Sequence, residues 1–235
     1  YNSYYVAASY ASRDCYLTTT LNNECYWSLA RADKGTARIV MTDSSVSAET
    51  YPVSEFENTF ESSDLGYTAY HSVNPTPYNA YQYLQSDDIL IITGEGQAGY
   101  IKLENTSGGT TGYIRANSSV LGLSGNVYTI DNPSAPIDLS SVRCVLYLTD
   151  NSGVTTSSGA NLVDATYDQG AHFVLGWTEE IDPSEIAIWL DTFIDCIQAS
   201  LTIKEAIECA NIEIERRDSS PIYKKGDINQ YLRLS

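Results

Sequence analysis

Apolar residues fall along this chain in short unbroken runs, separated by stretches in which they recur every three or four positions. The runs at 4–8 (YYVAA), 37–42 (ARIVMT), 89–93 (ILIIT), 144–149 (CVLYLT) and 172–176 (HFVLG) lack period-two alternation, as strands covered on both faces do. Helical spacing appears between them. Residues 77–85 (PYNAYQYLQ) lead into Ile89, and 161–169 (NLVDATYDQ) stop at Gly170, a residue suited to ending a helix. Two stretches carry full start signals. Asp182-Pro183-Ser184-Glu185 supplies a cap, a first-turn proline and a third-position glutamate, after which Ile186, Trp189, Leu190, Phe193, Ile194 and Ile197 form one stripe. Thr202-Ile203-Lys204-Glu205 reads as a capping box, and Ile203, Ala206, Ile207, Ala210 and Ile214 continue its apolar face.

Strands alternating with helices predict an α/β domain with a mostly parallel sheet of about five or six strands and helices on both faces. Residues 99–103 (GYIKL) and 112–116 (GYIRA) flank a Gly- and Thr-rich stretch and predict a small β-ribbon standing off the main sheet. The acidic, Ser-rich segment 42–64 reads as a mobile loop or flap. Neither an internal repeat nor a break in composition divides the chain, so a single domain over 1–235 is expected.

Composition narrows the partners. Thirteen Lys+Arg against 30 Asp+Glu give a net charge of −17, which disfavours nucleic acid and anionic membranes because both need clustered cations. With 43% hydrophobic residues the chain can bury a core, so disorder is excluded. Only 18% of residues are charged, leaving Ser, Thr, Asn and 19 tyrosines to wet the surface, a balance that suits an exported protein. No run reaches the ~18 apolar residues of a membrane helix. The chain begins at Tyr1, as a trimmed product would. Cys15, Cys25, Cys144, Cys196 and Cys209 include no C-x-x-C, and two histidines at these spacings do not build a zinc site. Cys15/Cys25 and Cys196/Cys209 are either local bridges of an oxidising compartment or free thiols. Asn105-Thr106-Ser107 and Asn117-Ser118-Ser119 match glycosylation acceptors.

Chemistry in a parallel sheet gathers beyond the carboxyl ends of the strands. Two such ends stand out here, Thr93-Gly94-Glu95-Gly96 and Thr149-Asp150-Asn151-Ser152-Gly153. Gly94, Gly96 and Gly99 fit a G-x-G-x-x-G spacing, but a ribbon follows in place of the helix that binds pyrophosphate. Ser152, Ser157 and Ser158 lack a histidine partner in sequence, so serine hydrolysis is not expected.

A strand ending Thr-Gly-x-Gly, a ribbon, and a strand ending in a residue followed by small ones together resemble the caspase-fold cysteine peptidases, in particular the gingipain-like, clostripain-like and CHAT-type groups. The resemblance continues through 161–165 (NLVDA), 170–177 (GAHFVLGW), the stripe with Trp189 and Phe193, and Gly226-Asp227 with Leu232-Arg233-Leu234, which reads as the final strand. It implies a three-layer caspase-like fold and a substrate cleft at the two loops. It also implies that Glu95 stands where those enzymes keep the catalytic His and Asp150 where they keep the nucleophilic Cys. A carboxylate replaces neither an activated thiolate nor its base, and Glu, with an ordinary pKa of about 4.3, is ionised at neutral pH. The dyad is therefore missing, and no catalytic residue is expected.

Three functions remain. A pseudopeptidase would bind a peptide or protein at Gly94, Glu95, Gly96, Asp150, Asn151, Ser152 and Trp177. Alternatively, Glu95 and Asp150 would hold a Ca²⁺ or Mg²⁺ ion, or share a proton and activate water. The third reading is a non-catalytic structural domain of a larger exported protein. An extracellular or cell-surface bacterial setting is expected for each, without cofactor or membrane insertion.

Overall fold

The computed structural model describes residues 6–10, 13–18, 28–31, 35–42, 51–105, 110–117, 120–125, 137–214 and 222–233. The chain divides into two compact units, Tyr1–Gly35 and Thr36–Ser235. In the first, β1 (Val6–Tyr10), β2 (Arg13–Thr18) and β3 (Ser28–Arg31) form an antiparallel sheet in the order β1-β2-β3. The described part of the apolar run at 4–8, from Val6 on, therefore lies outside the parallel sheet. Val6–Tyr10 pairs antiparallel with a strand close by in sequence, with Tyr10 opposite Arg13, whereas parallel pairing would demand a long crossover.

The second unit runs β4 (Thr36–Met41), α1 (Val53–Phe60), β5 (Thr68–Val73), α2 (Pro77–Ser86), β6 (Ile89–Gly94), β7 (Gly96–Gln97), β8 (Tyr100–Asn105), β9 (Thr110–Asn117), β10 (Val120–Gly125) and β11 (Cys144–Thr149). It closes with α3 (Leu162–Asp168), β12 (Phe173–Trp177), α4 (Pro183–Gln198), α5 (Ile203–Glu213) and β13 (Ile222–Gly226). Six strands form the main sheet in the order β13-β12-β11-β6-β4-β5, all parallel except β13, which runs antiparallel to β12. The expected parallel sheet and its strands at 37–42, 89–93, 144–149 and 172–176 are thus present.

Side chains alternate between two cores. On one face Ile39, Ile91, Leu146 and Leu175 pack under α1, α4 and α5, together with Phe56, Phe60, Trp189 and Phe193. On the other, Val40, Leu90, Val145 and Val174 meet α2, α3 and the small sheet of order β10-β9-β8-β7. That small sheet contains the expected hairpin, with Ile101 opposite Ile114. It does not stand off, because Ile101, Leu103, Ile114, Leu121 and Leu123 are fully buried as part of the second core.

Two further expectations are corrected. The segment 42–64 contains helix α1, whose Val53, Phe56 and Phe60 recur at helical spacing and are buried, a pattern masked in the sequence by interspersed Ser and Glu. Within that segment, residues 43–50 lie outside the described residues. The last strand is Ile222–Gly226 and not the stretch through Leu232; Leu234 lies outside the described residues. Residues 227–233 are irregular and held by Arg143, whose guanidinium donates to the carbonyls of Arg233 and Tyr231 and to the Tyr67 hydroxyl. Leu232 is buried beside them.

The two predicted caps are present: Asp182 accepts from the Ser184 amide, and Thr202 with Glu205 closes a full capping box. Asn161, which the sequence reading did not single out, also caps α3 by accepting from the amides of Val163 and Asp164. At the amino edge of the sheet, the Asp88 carbonyl accepts from Arg143 and Cys144 amides at 2.7 and 3.2 Å, while its carboxylate accepts from Thr36 N at 2.8 Å. These bonds tie β4, β6 and β11 into a common start. Trp189 links the helical layer to the sheet: its ring meets Trp177 edge-on at 5.8 Å, stacks on Phe193 at 5.2 Å, and its Nε1 donates to Asn211 Oδ1 at 2.8 Å. Trp189→Ala is expected to cost about 3–5 kcal/mol, read as a lower urea midpoint with little change in slope.

Candidate functional site

Register places the site. Leu148 pairs with Thr93 and Thr149 with Gly94, so the next residues, Asp150 and Glu95, leave the sheet side by side. They enter a cavity of about 590 Å³. Residues 95–98 form one wall, Asp150, Asn151 and Val154 the other, and Glu180 contributes a third carboxylate. A smaller cavity of about 250 Å³ shares Glu95, Gly96 and Gln97 and adds Tyr100, Lys102 and Tyr113 from the small sheet.

The walls approach closely because glycines permit it. A Cβ on Gly96 would lie 2.5 Å from Thr149 Oγ1 and 2.6 Å from the Asp150 carbonyl oxygen. Gly153 and Gly176 make a similar contact, since a Cβ on Gly153 would sit 2.7 Å from the Gly176 oxygen. This contact, with the Gly153 amide donating to the Trp177 carbonyl at 2.6 Å, seats the loop after β11 against β12. Asn151 turns the chain with φ 51°, a left-handed value that Asn tolerates, and its amide donates to the Glu179 carbonyl at 3.2 Å.

The two central carboxylates have separate partners. Asp150 Oδ1 accepts from the Ile181 amide at 3.0 Å. Burial pushes its pKa above the ordinary value, and the charges of Glu180 and Glu95 add to that rise, while the Ile181 amide opposes it. Glu95 is exposed, and its Oε2 accepts from Lys102 Nζ at 2.7 Å. The pair shares a cavity and feels each other's charge, but a proton shared directly between them is not the arrangement present. Among the described residues, no group of three or more His, Cys, Asp or Glu side chains is placed to hold a metal ion.

Glu95, Gly96, Asp150 and Asn151 line the cavity, while Gly94 stands half-buried at the strand end just before it. Ser152 and Trp177 do not line it. Ser152 is fully buried, its hydroxyl 2.8 and 2.9 Å from the Thr149 and Tyr147 carbonyls while it accepts from the Trp177 amide at 3.1 Å. Trp177, expected in the cleft, is fully buried because the side chain at that end of β12 points into the layer beneath, onto Trp189. Gln97, Ala98, Val154, Glu180, Tyr100, Lys102 and Tyr113 went unpredicted. Of these, Glu180 was recoverable, since it follows the end of a third parallel strand by three positions.

The remaining thiol and imidazole groups are elsewhere. Cys144 is fully buried at the start of β11, and burial pushes its thiol far above the ordinary range. His172 precedes β12 at the amino edge of the sheet, opposite the cavity. His71 lies within the edge strand β5, its Nδ1 2.7 Å from Glu57 Oε1. Cys25 and 19–27 as a whole lie outside the described residues.

No protein-family model matches this chain, and no curated protein does. A solved structure does match: separase from Saccharomyces cerevisiae, in its complex with securin, superposes with a TM-score of 0.50 and 12% identity over 82% of this chain. The fold is caspase-like. The match spans 12% of that chain, so the caspase-like unit corresponds to a small part of the larger protein. In this caspase-like sheet the loops after β6 and β11 are the ones that converge, as the sequence predicted.

Gly96→Ala is expected to destabilise the domain by about 1–3 kcal/mol, because Thr149 and the Asp150 backbone must both move. Chemical denaturation measures it, and a neutral result would show that the wall yields freely.

Proposed function

We propose that this caspase-like domain is a pseudopeptidase of the gingipain, clostripain and CHAT-type branch, which binds a cationic peptide segment of a protein partner without cutting it. The observation that carries this reading is the side-by-side emergence of Glu95 and Asp150 into one cavity. A peptidase would need an ionisable thiol and an imidazole at those two positions. Two acids there, with Glu180 beside them and a net charge of −17 overall, favour a Lys- or Arg-bearing ligand. The neighbouring cavity with Tyr100 and Tyr113, whose rings meet edge-on at 5.4 Å, offers apolar area to the flanking residues of such a segment. An extracellular or cell-surface bacterial setting within a longer protein belongs to the same proposal.

Fluorescence anisotropy with labelled Lys/Arg-rich and Asp/Glu-rich peptides tests it. The basic set should bind at least about tenfold more tightly, with affinity falling as salt rises, and Asp150→Asn should remove most of the difference. Equal binding of both sets would overturn the reading, as would peptide cleavage that Cys144→Ala abolishes. Calorimetric heat from Ca²⁺ or Mg²⁺ that disappears in Asp150→Ala would favour the cation reading instead.

Acidification supplies a further check. Asp150 must be ionised to attract a cation, and its pKa lies above the ordinary 3.8, so binding should be full at neutral pH. It should then weaken on acidification before an unperturbed carboxylate would protonate. A titration of affinity against pH, repeated on Asp150→Asn, isolates that contribution.

A further inference from the structure

The two edges of the main sheet are finished differently. Edge strand β13 carries Lys224 and Lys225, charges of the kind that keep a second strand away. At the other edge, β5 reads Thr-Ala-Tyr-His-Ser-Val, with no lysine, acid or proline, and pairs with β4 over six successive residues without a bulge. Among the described residues it has no strand on its other side. Main-chain groups along such a strand point alternately to its two sides. The Asn74 amide donates inward to the Met41 carbonyl at 2.8 Å, while the Ala69 amide turns outward to Glu61 Oε1 at 3.4 Å. The N–H and C=O groups of Ala69, His71 and Val73 therefore face the open edge.

Each face beside that edge has its own chemistry. Ala69 and His71 turn toward α1, where Glu57 Oε1 lies 2.7 Å from His71 Nδ1 and Glu61 meets the Ala69 amide, so two carboxylates flank the edge. Tyr70 leaves the opposite face. It is 45% exposed, its ring held 4.8 Å from the Arg38 guanidinium, which Asp87 already pairs at 2.7 Å. A strand added here would lay alternate side chains on the acidic α1 side and on the Tyr70 ring.

We propose that the β5 edge takes an extended segment of a partner protein, as an added strand in which Lys or Arg alternates with apolar residues. A carbonyl of the segment replaces Glu61 at the Ala69 amide, where the present 3.4 Å bond is long, and Glu61 then turns to a cation of the segment. A second copy of this chain fits poorly. Pairing β5 with β5 would bring Glu57 and Glu61 of both molecules together, on chains that each carry a net charge of −17. Strand β4 separates β5 from β6, and none of these residues lines the cavity at Glu95 and Asp150, so the edge and the cavity are distinct sites.

Hydrogen exchange on the full chain, read by mass spectrometry, tests this with a synthetic peptide of alternating Lys and Val. At about ten times its Kd, the peptide should slow exchange of the outward amides in 68–73 by about tenfold. A peptide of the same composition with Lys and Val in separate blocks should give no such protection, nor should one of alternating Glu and Val. Glu57→Gln should weaken binding of the alternating peptide by about threefold. Slowed exchange over 68–73 with none at 95–98 and 150–154 supports the edge whatever becomes of the cavity. Protection confined to 95–98 and 150–154 overturns the edge and leaves the cavity reading standing. Equal protection by the blocked peptide also overturns the proposal. So does protection of 68–73 that arises on concentrating the protein alone, which would make a second copy the occupant.

Discussion

The in-register parallel pairing of β6 with β11 is the constraint on which the rest of this molecule depends. Every residue from Ile89 to Thr93 and from Cys144 to Thr149 is buried, so both faces of the pair must be covered. Helices α1, α4 and α5 cover one face, and α2, α3 and the small β-sheet cover the other. Parallel strands that start together end together. The Asp88 carbonyl, which serves the amides of Arg143 and Cys144, starts them together, and Glu95 and Asp150 are consequently neighbours at the far edge.

Electrostatics at that edge follow from how each acid is held. Asp150 is tied to a backbone amide and partly desolvated, so its charge is carried at a cost that a nearby cation would offset. Glu95 is exposed and already paired with Lys102, which leaves Asp150 and Glu180 as the acids of the cavity without that internal cation. A surface pair such as Glu95–Lys102 is weak, typically below about 1 kcal/mol, and can exchange its lysine for a ligand's cation at little cost. The proposed recognition of positive charge rests on these same carboxylates.

Away from the cavity, the molecule is closed by tertiary contacts that pin otherwise weak elements. Arg143 clamps the irregular 227–233 segment, and Arg38 lies between Asp87 at 2.7 Å and the ring of Tyr83 at 3.9 Å near the other edge of the sheet. The exposed edge strand β13 carries Lys224 and Lys225, and Lys225 pairs with Asp164 of α3 at 2.9 Å. Charges on an edge strand discourage pairing with a second chain.

The sequence alone determined the class of fold, four of the six main strands, the caps of α4 and α5, and the two loops that would converge. Continuous Val/Ile/Leu runs and capping residues are local signals, and they reach their meaning within a few positions. The sequence did not determine which sheet a strand joins, so Val6–Tyr10 went to a local antiparallel pair. Nor did it show that Val53, Phe56 and Phe60 formed a buried helix beneath Ser and Glu, or that β5 and β13 bounded the sheet. It placed Trp177 in the cleft, whereas the alternation of β12 turns that ring onto Trp189. These outcomes depend on partners distant in the chain. Which face a side chain meets and whether Lys102 reaches Glu95 are decided by packing between elements, which no window of sequence contains.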